Sequence, residues 1–205
     1  MNRNYQKELD RIIQKWGKNA PRVLLHACCG VCSGAVLEYL TQYFDVTVLW
    51  YNPNLYPQAE FDRRFQALVQ MIERMGLADS VSVLAEPWKH EDYDRRVKGL
   101  EDEPEGGARC TECFRLRLIE TARLAKHYGY DYFCTTLTLS RHKDEKRINT
   151  LGEEIGRAAG VQWLPSDFKK QGREMRSREL ANEHGIYQQL YCGCEYSLHK
   201  RKETE

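Results

Sequence analysis

Apolar residues fall along this chain in two rhythms. Tyr5, Leu9, Ile12, Ile13 and Trp16 recur at helical spacing, which predicts an amphipathic helix over residues 5–16 that ends before Pro21. Residues 22–27 (Arg-Val-Leu-Leu-His-Ala) are a short, mostly apolar run of the kind that forms a buried strand. The alternation then repeats. It predicts a helix over 31–43, a strand over 46–51, a helix over 58–75, a strand over 81–84 closed by Pro87, and a short helix over 90–98. Beyond these come a helix over 111–128, a strand over 132–136, a helix over 144–159, a strand over 161–164 and a helix over 172–184 that Gly185 stops. Residues 99–109 are acidic, carry three Gly and one Pro, and read as a mobile loop. Strands alternating with helices predict an α/β fold, a parallel sheet with helices on both faces. In such folds ligands sit beyond the carboxyl ends of the strands, near the switch in strand order.

Composition narrows the function classes. The 205 residues suffice for one well-cored domain. Hydrophobic residues at 41% and aromatics at 11% exclude intrinsic disorder. Lys plus Arg is 31 against 30 for Asp plus Glu, so the net charge of +1 excludes a protein that coats polyanions, while leaving room for a local basic patch. The apolar runs are strand-sized, so no membrane span is expected. Met1–Glu8 holds no apolar signal core, and the expected compartment is the cytoplasm.

Cysteine changes the picture. There are eight, seven of them clustered, in a chain long enough not to need disulfide staples. Metal binding, redox chemistry or both remain. Cys28-Cys29-Gly30-Val31-Cys32 follows the first strand and opens a helix, Cys110-Thr111-Glu112-Cys113 opens another, and Cys192-Gly193-Cys194 lies near the C-terminus. Helix N-termini present free N–H groups and stabilise thiolates, the form that binds metal and attacks disulfides. Adjacent Cys28 and Cys29 chelate one tetrahedral zinc only with strain, whereas a [4Fe–4S] cluster offers them different irons, so the spacing favours iron–sulfur over structural zinc. A CxC disulfide is short and strained, which suits a redox-active pair; further metal ligation by Cys192 and Cys194 is the other reading. Cys32 is either a fifth ligand serving a second metal or a plain helix N-terminal thiol. Cys134, in a strand between Phe133 and Thr135, reads as a buried small hydrophobe.

These residues resemble the epoxyqueuosine reductase family QueH. The resemblance is carried by His26-Ala27-Cys28-Cys29-Gly30-Val31-Cys32-Ser33-Gly34, by Tyr51-Asn52-Pro53-Asn54-Leu55-Tyr56-Pro57 with Glu60, Arg63 and Arg64, and by Arg109 through Leu118. It continues through Thr135–Ser140 with His142 and Lys143, Phe168-Lys169-Lys170, Arg178-Glu179-Leu180, Tyr187-Gln188-Gln189 and Tyr191-Cys192-Gly193-Cys194. It covers about residues 20–198. The domain reading is accordingly a helical extension over 1–20, a single α/β Fe–S reductase domain over 21–198 and a charged tail over 199–205.

The resemblance implies an HUP/PP-loop-like fold with the Fe–S site at the carboxyl ends of the strands. It implies reductive deoxygenation of epoxyqueuosine to queuosine at the wobble position of tRNA, the final step of queuosine biosynthesis, without cobalamin. It assigns the [4Fe–4S] ligands to Cys28, Cys29, Cys110 and Cys113 and a redox-active disulfide to Cys192 and Cys194. For some members it implies an additional mononuclear metal, iron or zinc, for which Cys32 is the residue at hand. The phosphate-binding Ser-Gly-Gly loop of ATP-using relatives is absent here, so no ATP is expected. The implied partners are tRNA carrying epoxyqueuosine, through its anticodon loop, and an electron donor that leaves no mark in the chain. Lys169, Lys170, Arg173 and Arg176 lie in a basic run suited to tRNA phosphates. His26, Tyr51, Glu112, His142, Lys143 and Asp144 are candidates to protonate the epoxide oxygen. Two other readings stand beside this one: a metal-free thiol–disulfide oxidoreductase and a zinc-stabilised tRNA-binding module.

Overall fold

Five strands pair in the order β3-β2-β1-β4-β5, all parallel. They are β1 (Arg22–His26), β2 (Asp45–Trp50), β3 (Ser82–Ala85), β4 (Tyr132–Thr135) and β5 (Gln162–Trp163). The structure, a computed structural model, describes residues 3–17 and 19–202; residues 203–205 of the expected tail lie outside the described residues.

The central strands β1, β2 and β4 are mostly apolar because both faces of the sheet are covered there, whereas the edge strand β3 is largely exposed. Val23, Leu24, Leu25, Val48, Leu49, Trp50, Phe133 and Cys134 are all fully buried. The helices are α1 (Tyr5–Trp16), α2 (Gly30–Leu40), α3 (Gln58–Arg74), α4 (His90–Val97), α5 (Ala108–His127), α6 (Glu145–Ala159), α7 (Arg173–Glu183) and α8 (Glu195–Lys202). From β1 the chain winds outward through α2 and α3 to β2 and β3. From β4 it winds the other way through α6 to β5. Right-handed crossovers in opposite directions put their helices on opposite faces. Accordingly α2 packs on α3 and α7, while α5 packs on α6.

The predicted elements are present, with boundaries shifted by a few residues. Three local differences have physical causes. Helix α5 begins at Ala108 rather than at 111, because the Glu103 carboxylate takes the Ala108 N–H at 2.9 Å and Arg109 reaches back to the carbonyls of Leu100 and Glu101. These bonds tie down the end of the glycine-rich loop. After β4, Thr136–Leu139 form a short 3₁₀ turn, started by Thr135 Oγ1 accepting the Leu137 N–H. Helix α8 follows the CxC motif directly. No long, apolar membrane-crossing helix occurs among the described residues.

Strand order reverses between β1 and β4. The loops leaving these two strands diverge there and leave a crevice at their carboxyl ends.

Candidate functional site

Cys28 and Cys29 leave β1 at this switch. Cys29 is the N-cap of α2, its Sγ accepting the Cys32 N–H at 3.2 Å. The Cys28 N–H donates to Thr136 Oγ1 at 3.1 Å, and the Thr136 hydroxyl donates to Cys28 Sγ at 3.3 Å. The Sγ atoms of Cys28, Cys29 and Cys32 all lie within 4.8 Å of one another. Gln189 adds an N–H to Cys29 Sγ at 3.1 Å. Tight capping is possible because Gly30 lets α2 run against α3: a Cβ there would lie 2.6 Å from the Ala67 carbonyl oxygen.

The second cysteine pair occupies the first turns of α5. Gly106 N–H donates to Cys110 Sγ at 3.2 Å, and Cys113 is buried. Arg117, one turn further and buried, donates from Nη2 to Cys113 Sγ at 3.2 Å and from Nε to the Cys113 carbonyl at 3.1 Å. The third group is held by α3. Arg64, buried and paired with Glu60 at 2.7 Å, donates to the carbonyls of Cys192 and Tyr191. The Tyr56 N–H bonds the Gly193 carbonyl at 2.9 Å. Gly193 has φ +131°, and a Cβ on it would meet Leu55 at 2.4 Å, so the residue between the two cysteines must be glycine. Cys192 is exposed, whereas Cys194 is buried beside Tyr93, Val97 and Cys113.

Two of the three groups open on one cleft of about 730 Å³, through Cys28, Cys32 and Cys192, and Arg117 on its wall bonds Cys113 behind it. Its walls include Cys28, Cys32, Cys192, Arg117, Lys143, Asn54, Gln189 and Tyr191. Hydrogen bonds from Cys29 and Cys32, assisted by Lys143 and Thr136, hold the Cys28 thiol well below its usual range. Cys29 and Cys32 are pushed up in return, because three crowded sulfurs cannot all ionise without a cation among them. Burial pushes the Cys113 thiol up to about 12, with Arg117 pulling against it. Lys143 loses hydration in this setting, yet the nearby sulfurs of Cys192, Cys28 and Cys32 hold it above its ordinary value.

This donor set fits a thiolate-bound metal cluster. Soft sulfur ligands start at two helix N-termini, each accepting N–H or O–H groups. Two cations, Arg117 and Lys143, face sulfur, with no carboxylate ion pair to either among the described residues. Buried cations need nearby anions; ionised sulfurs supply them, as in Cys-ligated iron–sulfur sites.

The proton-donor candidates separate. His26 is fully buried and burial holds it down to about 3, so it stays neutral. Its Nε2–H faces the Tyr51 carbonyl at 3.2 Å. Its Nδ1 lies 2.8 Å from Thr135 Oγ1, whose hydroxyl is free to donate because the oxygen already accepts the Leu137 N–H. His26 is a brace between β1, β2 and β4. Tyr51 is buried, Asp144 caps α6, and Glu112 pairs with Arg96 and Arg115. His142 and Lys143 line the cleft. Arg64, Arg117 and Gln189 stand within the motifs that carry the resemblance, but the sequence assigned none of them a role at the cysteines.

The basic run is dispersed. Arg173, expected at a phosphate surface, is buried, bonding the Phe168 carbonyl, Gln171 and Gln6 and covering the Tyr39 ring. Lys169 is paired with Glu145 and Asp167, and Arg176 with Glu38, Glu179 and Glu183. Lys170 projects, with its side chain 64% exposed. Arg141 and Arg178, on the cleft wall, share the single carboxylate of Glu174. Cys134 is fully buried in β4, as its sequence neighbours predict.

A family model described as epoxyqueuosine reductase QueH matches residues 23–200. The chain is 41% identical to the epoxyqueuosine reductase QueH of Streptococcus pyogenes serotype M1, over 96% of this chain and 80% of that one. It is 40% identical to the protein of the same name from Staphylococcus epidermidis, over 97% and 86%. A third, from Thermotoga maritima, is 33% identical over 88% and 92%.

Proposed function

The chain belongs to the epoxyqueuosine reductase QueH family and is an oxidoreductase of tRNA processing; from that premise we propose that it reduces epoxyqueuosine in tRNA to queuosine in the cleft at the β1/β4 switch. The observation that carries this reading is the meeting of Cys28, Cys32 and Cys192 with Arg117 and Lys143 on the wall of one cavity, with Cys113 bonded to Arg117 and packed beside Cys194. Its volume lies in the range of small-molecule sites and suits one splayed-out modified base.

Cys28, Cys29, Cys110 and Cys113 are the proposed [4Fe–4S] ligands, at an HUP-like position beyond the carboxyl ends of the strands. Cys32 is the proposed ligand of an additional mononuclear metal, iron or zinc. Bound there, a cluster would supply electrons one at a time. The residues do the rest. Loss of the epoxide oxygen as water, leaving a carbon–carbon double bond, takes two electrons and two protons. Cys192 and Cys194 match the electron count: two thiols give two electrons and two protons on closing a disulfide, which the external donor must then reduce. Exposed Cys192 faces the cleft and buried Cys194 lies behind it, a fitting order for attack and resolution. Lys143 on the cleft wall is the proposed proton source for the departing oxygen. Tyr191 on the same wall offers a ring for the base to stack on. Lys170, Arg141 and Arg178 are the proposed phosphate contacts. The reaction as proposed uses neither ATP nor cobalamin and takes place in the cytoplasm.

The test is anaerobic incubation of the iron- and sulfide-loaded protein with epoxyqueuosine-containing tRNA and a low-potential reductant, followed by nucleoside analysis. Queuosine is expected. Unchanged epoxyqueuosine with a loaded cluster would overturn the reading. A protein that turns over with no iron would make it a thiol relay instead, and one that only binds tRNA with stoichiometric zinc would make it a binding module.

A further inference from the structure

A second donor set lies outside the cleft. His90, in the first turn of α4, is 9% exposed. Its Nδ1–H donates to the Pro53 carbonyl at 2.7 Å, which leaves Nε2 as a lone pair. That Nε2 is sealed from solvent and has no hydrogen-bond partner. Orphaned buried acceptors are rare and call for an explanation. The ring cannot turn away, because Trp88 stacks on it at 5.4 Å and Tyr56 and Tyr93 pack at 5.3 and 5.6 Å.

Two carboxylates lie beside Nε2. Asp94 Oδ1 lies 3.4 Å from Nε2 and Glu195 Oε1 lies 3.9 Å from it, and the three ligand atoms are within 4.8 Å of one another. Three acceptors facing each other repel. A cation between them turns the same arrangement favourable. The first separation also suits one: ligand atoms about 2.0–2.2 Å from a tetrahedral zinc stand about 3.4 Å apart. A backbone carbonyl on the far nitrogen is the usual device that orients a metal-bound imidazole.

We propose that His90, Asp94 and Glu195 bind a divalent cation of the zinc class, at a site separate from the cysteine cleft. One nitrogen and two carboxylate oxygens leave a fourth position for water, and their two negative charges balance the ion. Asp94, with 55% of its side chain exposed, opens the way in. Glu195 is the first residue of α8 and follows Cys194 directly. The ion therefore clasps the end of the CxC segment to α4 and to the Pro53 loop. Its role is to position Cys192 and Cys194, not to react.

Added zinc will also seek the thiols, so the measurement is a difference between variants. Wild-type protein, Glu195→Gln and Asp94→Asn are equilibrated with zinc anaerobically, desalted, and assayed for zinc and iron. The expected result is one more zinc per chain in the wild type than in either variant, with iron unchanged. Zinc should also raise the thermal midpoint of wild type by more than that of Glu195→Gln. Both substitutions lie at solvent-accessible carboxylates, so folded variants are expected. Equal zinc in wild type and both variants would overturn the site. Neither outcome depends on whether the protein reduces epoxyqueuosine.

Discussion

A guanidinium beside a buried thiol lowers the cost of ionising the sulfur, and Arg117 holds Cys113 in this way at 3.2 Å while facing the same cleft as Cys28. Arg117→Leu removes that charge. Iron per chain after reconstitution should fall at least severalfold, and Arg117→Lys should recover part of it; full iron in the leucine variant would detach the guanidinium from cluster retention. Cys134 gives the opposite expectation. It is fully buried in β4 and its thiol is pushed up by burial alone. Cys134→Ala should therefore keep iron and activity and lose only about 1 kcal/mol of stability, read from the urea midpoint. Cys194→Ser should keep the cluster and impair turnover, and an unchanged steady-state rate would remove the pair from the mechanism. That Cys134 stands apart was legible from its strand neighbours. That Cys192 is exposed and Cys194 buried was not, because residues two apart in an irregular segment take their burial from what packs on them.

At the scale of elements, the pattern of apolar runs was legible because the central strands are covered on both faces and each long helix carries a stripe toward the sheet. Helix α8 was not legible. Its sequence, Glu-Tyr-Ser-Leu-His-Lys-Arg-Lys, has no apolar stripe, and its start is set by contacts from elsewhere: Ser197 Oγ accepts the Cys192 N–H, and Arg109 covers the Tyr196 ring. The contact of α2 with α3 decides how the first cysteine motif is presented. A Cβ at Gly30 would strike the Ala67 carbonyl carbon and oxygen at 2.7 and 2.6 Å, and backbone cannot yield as a side chain can. Gly30→Ala should cost about 1–3 kcal/mol. Gly34→Ala, facing the flexible end of Met71 at 3.1 Å, should cost less. Denaturant midpoints of the two variants check the order.

At the scale of the whole molecule, a net charge of +1 hides a local excess. The cleft wall carries Arg64, Arg117, Arg141, Lys143 and Arg178 against Glu105 and Glu174. Replacing Arg141 and Arg178 together by Ala should weaken tRNA binding and shallow its salt dependence by about 1–2 in the log–log slope. An unchanged slope would clear that wall of phosphate contact. By itself the sequence determined the parallel α/β class, the segments that form it and the cysteine motifs, since periodicity, helix starts and short spacings are local properties. Only the tertiary structure decided which distant groups meet. It buried Arg173 against Gln6 and Tyr39, engaged Lys169 and Arg176 with carboxylates, and brought Arg117, Lys143 and Arg64 to the cysteines. It also set His90 opposite Glu195, residues 105 positions apart (195 minus 90), because burial and charge pairing are settled by packing between elements, which no stretch of chain contains on its own.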